Sequence, residues 1–244
     1  MINTRNIYMH YINIMLKILV KYYILYSELS NARYIIMIKT AVLVSGGGAN
    51  LQALIDADLF GELKNCELSA VISSVPDVYA LKRAEHAKIP SYIVDASIFP
   101  NRASFTEAII KKLHDLDIEL VVLAGFRHYL EIQFFRNYKD RIIITYPSLL
   151  PAFFKPNTTG LHVCKEVLES GVRVTGATTC LVTDLPENCL IINQKAVDVL
   201  TNDNEITLQR RIMETAEWDI LPKSVSLFCE GKLKIENKRI VITE

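Results

Sequence analysis

The sequence predicts an α/β protein built on a Rossmann-like, mostly parallel twisted sheet with helices on both faces. Three observations carry that expectation. From Ile38 onward, short apolar runs alternate with segments of helical period, the pattern of consecutive βαβ units. The runs TAVLVS (40–45) and LVVLAG (120–125) are almost wholly apolar, as strands covered on both faces must be. The first run opens directly into Gly46-Gly47-Gly48 and then into NLQALIDA, which has helical spacing.

Taken in order, TAVLVS is the first strand and the segment from Asn50 the first helix. ELSAVISS (67–74) is a second strand and VYALKRAEHA (78–87) a second helix. SYIVD (91–95) is a short third strand, followed by the amphipathic SFTEAIIKKLHDL (104–116). LVVLAG closes on a glycine, and RIIIT (141–145) is a β-branched run stopped by Tyr146-Pro147-Ser148, since proline cannot donate to a sheet ladder. Then come a helix, GLHVCKEVLES (160–170), two strands, VTGATTCLV (174–182) and CLIINQKAV (189–197), and a long helix, EITLQRRIMETAEWDIL (205–221). With no internal repeat, linker or low-complexity tract, residues 37–244 are expected to form one domain.

Residues 1–36 read differently. They are rich in Ile, Tyr, Asn and Lys, and Lys17 and Lys21 interrupt the apolar run short of the ~20 residues a bilayer span requires. No small-residue cleavage site follows a compact apolar core. The expectation is an atypical N-terminal extension, of the kind upstream translation adds, with Met37 as the natural start.

Composition narrows the partners. Lys+Arg 27 balance Asp+Glu 27 over 244 residues, so no global basic surface offers itself to nucleic acid, and no membrane association is expected. Cysteines at 66, 164, 180, 189 and 229 include no C-x-x-C pair, and an odd, scattered set reads as reduced thiols of a cytoplasmic protein. Cys180 and Cys189 fall on successive strands, but no further Cys or His completes a metal set, so no metal is expected.

Ligands of such a sheet bind at the carboxyl ends of its strands. The loop Ser45–Asn50 stands there, and its glycines let backbone N–H groups approach an anion at a helix N-terminus. A tight strand-to-helix turn with no ligand is the alternative. The loop is neither G-x-G-x-x-G nor G-x-x-x-x-G-K-[ST], so neither a dinucleotide nor a Walker-type triphosphate is indicated. RIIITYPSLL is the second place where a strand runs into a rigid turn suited to mounting catalytic groups. Its two leading positions are Ile144 and Tyr146.

VSGGGANLQALIDA (44–57), VVLAGF (121–126), YPSLLPAF (146–153), GLHVCKEVLESGVRVTGAT (160–178) and LPKSVSLFCEGKLKIENKRIVI (221–242), in this order and spacing, resemble the glycinamide ribonucleotide (phosphoribosylglycinamide) formyltransferase family. The resemblance covers essentially all of 37–244. It implies the formyltransferase fold, a place in purine synthesis, and transfer of a formyl group from the co-substrate 10-formyltetrahydrofolate to the amine of glycinamide ribonucleotide. It also implies a monomer or homodimer. The substrate brings its own nucleophile, so such a protein must position two ligands, stabilise an oxyanion and move a proton. The family does this with an Asn and a His, in Asn-x-His-Pro-Ser-Leu-Leu-Pro, that donate to the formyl oxygen, and an Asp before Gly-Gly that orients the His and a water.

This chain departs from that pattern at each of those positions. The Asn position is Ile144 and the His position is Tyr146, a phenol with an ordinary pKa of ~10. The Asp position is Glu187, followed by Asn188-Cys189 in place of Gly-Gly. Ala49 replaces the loop hydroxyl before Asn50, and Arg127-His128-Tyr129 follows Ala-Gly-Phe where Met-Arg-Ile or Leu-Lys-Ile is usual. Cys164 and Cys180 stand at histidine positions, and Glu217-Trp218 at a Glu-His pair. The expectation is a retained scaffold with no catalytic residue matching the family, Glu187 being a weak substitute. Substrate binding is expected at Gly46, Gly47, Gly48, Asn50 and Glu217, for a phosphorylated ribonucleotide.

Other readings stay open at this point. His128 beside Arg127 suits either an anion contact or the start of a surface helix, and His162 shows no evident acidic partner in sequence. Methionyl-tRNA formyltransferase would need a further tRNA-reading domain, and formyltetrahydrofolate hydrolase an N-terminal regulatory one. From another class, a non-catalytic relative binding a nucleotide or folate-like ligand, or acting as an interaction partner, fits the same residues.

Overall fold

The computed structural model describes residues 37–154 and 159–243, together with Met15 and Leu19–Lys21. The chain separates into two units, Met1–Ile36 and Met37–Glu244. Of the first, the four described residues are helical and exposed; the reading of 1–36 as an extension otherwise falls outside the described residues. No helix among the described residues is long and apolar enough to cross a membrane.

In the second unit seven strands form one sheet: β1 (Ile38–Val44), β2 (Cys66–Ser73), β3 (Ser91–Ile93), β4 (Leu120–Leu123), β5 (Ile142–Tyr146), β6 (Val174–Val182) and β7 (Cys189–Asp198). Their order is β3-β2-β1-β4-β5-β6-β7, parallel as far as β5 and antiparallel from β5 to β7. The α/β, mostly parallel expectation therefore stands, with an antiparallel hairpin added at one edge. A separate hairpin pairs β8 (Leu233–Glu236) with β9 (Arg239–Ile242).

Residue alternation along the strands decides the layers. In β1, Val42 and Val44 face one side, with α1 (Ala49–Leu59), α2 (Tyr79–His86) and α7 (Trp218–Cys229) packed on them through Leu54, Ala84 and Val225. Ala41 and Leu43 face the other, against Ile109 and Leu113 of α3 (Arg102–Asp115) and Phe134 of α4 (Ile132–Asn137). A third cluster joins α5 (Gly160–Ser170) to α6 (Glu205–Ile212) through Val163, Val167, Leu208 and Ile212. Each such side chain, fully buried, contributes about 1.5–3 kcal/mol of transfer free energy, which outweighs any surface ion pair here.

The structure corrects several boundaries. The helix expected over 205–221 is α6, then a π turn at Met213–Glu217, then α7 reaching Cys229. Pro222 predicts a helix end because it removes an i→i−4 bond, yet it sits just past the π turn, where the ladder has already changed register. The fourth helix, Ile132–Asn137, is too short at six residues to show a period, and the β8–β9 hairpin was likewise not resolved from its sequence.

Candidate functional site

β1 leads through α1 to β2 on one side of the sheet, whereas β4 lies on its other side, so the chain switches direction between β1 and β4. A cleft of about 990 Å³ opens at the carboxyl ends of these strands. Gly46, Gly47, Gly48, Asn50, Ile144, Tyr146, Glu187 and Glu217, separated by up to 171 positions in sequence, all line it. A second cavity of about 560 Å³, between α1 and α7, holds none of the eight.

The glycine loop is built for close approach. Gly48 has φ +72° and caps α1, and a Cβ there would stand 2.7 Å from Cβ of Ala80. Both facts demand glycine. Helices α3, α5 and α6 are capped by the side chains of Asn101, Thr159 and Asn204, whereas α1 has no side-chain cap. Its first N–H groups thus face the cleft loop without an internal acceptor.

Asn50 and Glu217 meet behind the loop. Asn50 Nδ2 donates to Glu217 Oε2 at 2.7 Å, and Glu217 is 6% exposed. Burial raises the Glu217 pKa above the ordinary carboxylate value, with the donation from Asn50 opposing the rise. Asn50 Oδ1 is buried and has no partner, which leaves an acceptor for a ligand hydroxyl.

Sequence reading gave Arg127 little weight. Its Nη2 donates to Ser45 O at 3.2 Å and lies where a Cβ on Gly46 would approach to 2.7 Å, so Gly46 admits the guanidinium. Among the described residues no carboxylate pairs with Arg127, and it lines the cleft. Beneath the loop, Arg127 N donates to Ser45 Oγ at 3.0 Å, Ser45 Oγ and Ser74 Oγ share a hydrogen bond at 2.6 Å, and His128 Nδ1 reaches Ser74 Oγ at 2.9 Å. The helix-start reading of His128 is corrected. α4 begins at Ile132, and the imidazole packs against both Phe105 and Phe126.

On the opposite wall, Ile144 pairs with Cys180 and Tyr146 with Thr178 across β5 and β6. The Tyr146 hydroxyl donates to the Pro186 carbonyl at 3.3 Å, and its ring meets Phe154 edge-on with centroids 5.2 Å apart. Burial, then the neighbouring Cys189, Cys180 and Glu187, push the phenol pKa well above its ordinary 10.0. Glu187 is exposed on the short turn Pro186–Asn188. His162 does have an acidic partner, Glu166, whose Oε1 is 3.1 Å from Nε2; the two are one helical turn apart on α5, which corrects the sequence reading. Among the described residues no group of three or more His, Cys, Asp and Glu is placed to hold a metal.

Residues 38–225 match the formyl transferase family. The chain belongs to that family. It is 35% identical over 194 residues to a phosphoribosylglycinamide formyltransferase from Escherichia coli (strain K12), covering 80% of this chain and 88% of the relative. It is 38% identical over 197 residues to the trifunctional purine biosynthetic protein adenosine-3 of Drosophila pseudoobscura pseudoobscura, covering 80% of this chain but only 14% of that protein. The crystal structure of glycinamide ribonucleotide transformylase 1 from Symbiobacterium toebii superposes with a TM-score of 0.79 at 37% identity, over 85% of this chain and 95% of that one. The fold class expected from strand–helix alternation is thus the formyl transferase fold.

Proposed function

We propose that this formyl transferase family member keeps a two-ligand cleft but is inactive or severely impaired in formyl transfer from 10-formyltetrahydrofolate to glycinamide ribonucleotide. Tyr146 carries the reading. At the position where the resemblance puts a histidine, the side chain is a desolvated phenol whose hydroxyl is spent on the Pro186 carbonyl. It has no proton free for a formyl oxygen and is a poor acid or base near neutral pH. Ile144 offers no donor, and Glu187 is exposed on its turn with no imidazole to orient.

Binding survives these losses. The amine attacks the formyl carbon, so the chain's task before any chemistry is to hold the two reactants together. Backbone N–H groups of Gly46–Asn50, at the uncapped start of α1, suit the phosphate of a ribonucleotide. Asn50 and Glu217 offer acceptors to its ribose hydroxyls. Phe126, Leu130, Phe135, Ile144 and Leu185 give the cleft an apolar side with room for a planar ring such as a folate's. A relative named as a trifunctional purine biosynthetic protein supports a place in purine synthesis, and the scattered cysteines, none in a C-x-x-C pair, suit a cytoplasmic protein. A second reading, a non-catalytic binder or interaction partner, draws on the same retained cleft.

Removing one oxyanion donor costs about 10²–10³ in kcat, and groups acting together do not add. Formyl transfer is therefore expected at least about four orders of magnitude below the Escherichia coli relative. Ile144→Asn, Tyr146→His and Glu187→Asp together should recover part of it, and none alone should. Calorimetry should still register glycinamide ribonucleotide. Wild-type turnover within about tenfold of that relative would overturn the proposal.

A further inference from the structure

Four of the five cysteines lie in two pairs. Cys66 on β2 and Cys229 at the end of α7 are neighbouring thiols, 1% and 7% exposed, and Cys66 Sγ donates to Thr40 Oγ1 at 3.2 Å. Cys180 and Cys189 lie across the β6–β7 ladder, whose register pairs Cys180 with Ile191 and Val182 with Cys189. They are therefore diagonal neighbours on one face of an antiparallel pair, and each thiol shifts the other's acidity more than any other group does. The two pairs differ in access. Cys180 is fully buried, but Cys189 is partly exposed, whereas both members of the other pair are shut in the core.

Between Cys180 and Cys189 runs the turn that supplies Leu185, Pro186 and Glu187 to the cleft wall. Thr183 Oγ1 closes its base by donating to Asn188 O at 2.6 Å. The Tyr146 hydroxyl donates to Pro186 O within this turn, and both thiols help to raise its pKa.

We propose that Cys180 and Cys189 are a reversible redox pair, forming a disulfide on the wall of the cleft, with Cys189 the sulfur attacked first by an outside oxidant. A low-molecular-weight disulfide such as glutathione disulfide balances the step. The Cys189 thiolate attacks one glutathione sulfur, a mixed S–S bond forms, and one glutathione thiolate leaves. Cys180 sulfur, losing its proton to solvent, then attacks the Cys189 sulfur and expels the second glutathione. Two protein thiols are oxidised by two electrons, and one glutathione disulfide becomes two glutathiones, which take up the two protons. The adjacent Cys180 thiol favours the Cys189 thiolate, the species that attacks. The bond would staple the turn that holds Pro186 and Glu187. This holds whether or not formyl transfer survives.

The test uses the full chain, incubated in mixtures of glutathione and its disulfide, alkylated under native and then denaturing conditions, and mapped by peptide mass spectrometry. A Cys180–Cys189 cross-link should form first and reverse on adding reduced glutathione, with Cys66, Cys164 and Cys229 alkylated only after denaturation. Cys180→Ser or Cys180→Ala should leave Cys189 as a persistent glutathione adduct. Cys189→Ser, a change at a partly exposed site, should slow any oxidation of Cys180 at least about tenfold. A lasting adduct at Cys189 in the unmutated chain, oxidation of Cys66–Cys229 at a similar rate, or no modification at all would each overturn the proposal.

Discussion

Arg127 shows how a single residue changes what the cleft prefers. Its guanidinium lies across Gly46, held by one hydrogen bond to Ser45 O, and no carboxylate among the described residues neutralises it. An anion on the glycine loop gains a charge-assisted bond worth about 1.5–3 kcal/mol at best, less at an exposed side chain. Arg127→Met is therefore expected to weaken ribose 5-phosphate binding about tenfold and to flatten its salt dependence, while Arg127→Lys keeps part of both. Calorimetry at two salt concentrations measures this; unchanged affinity and salt slope would remove Arg127 from the site. The residues themselves were open to reading: Ile144, Tyr146 and Glu187 could be set against the family pattern position by position. Their partners were not. The Tyr146 hydroxyl meets a carbonyl 40 residues away, a distance at which no local rule applies. His162 pairs with Glu166 at an ordinary helical spacing that the sequence did offer.

At the scale of elements, the π turn at Met213–Glu217 is what turns Glu217 inward. It falls between two regular helices, and its last residue is a carboxyl 6% exposed. Wide turns of this kind often mark functional sites. A helical period read along 205–221 cannot show one, because the extra residue shifts the phase without breaking the apolar pattern. The strands β1 and β4 were legible because their centres are apolar on both faces, and α4 was not because it spans less than two turns. Glu217 also gives the fold a defined pH response. Its folded pKa lies above the unfolded reference of 4.5, chiefly from burial. Below about pH 4.5 both states are protonated and the group costs nothing; as pH rises from there through the folded pKa, ionisation favours the unfolded chain and stability is lost. Glu217→Gln, which keeps an acceptor for Asn50, should match the wild type near pH 4 and exceed it by a growing margin toward pH 7. Urea midpoints across that range measure the margin, and a constant difference between the two proteins would mean the carboxyl is not desolvated.

For the whole molecule, the question is which part of the chain makes the fold. The three hydrophobic clusters are drawn from residues between Ile38 and Ile240, and every strand of the seven-stranded sheet lies within Ile38–Asp198. The cleft is a consequence of strand order rather than of any one loop, since it opens where the connections leave β1 and β4 on opposite sides of the sheet. Among the described residues, everything that positions Gly46, Tyr146 and Glu217 lies from Met37 onward. A chain starting at Met37 is expected to keep the helix–strand balance of the full chain by circular dichroism. Its ribose 5-phosphate affinity should be unchanged, and its Tm should stay within about 2 °C. For a domain of this size a shift of ~2–4 °C corresponds to about 1 kcal/mol, so that limit separates no contribution from one well-buried side chain. A larger fall in Tm, or insolubility of the shorter chain, would mean that residues 1–36 help to hold the fold together, and the domain would then have to be drawn from Met1.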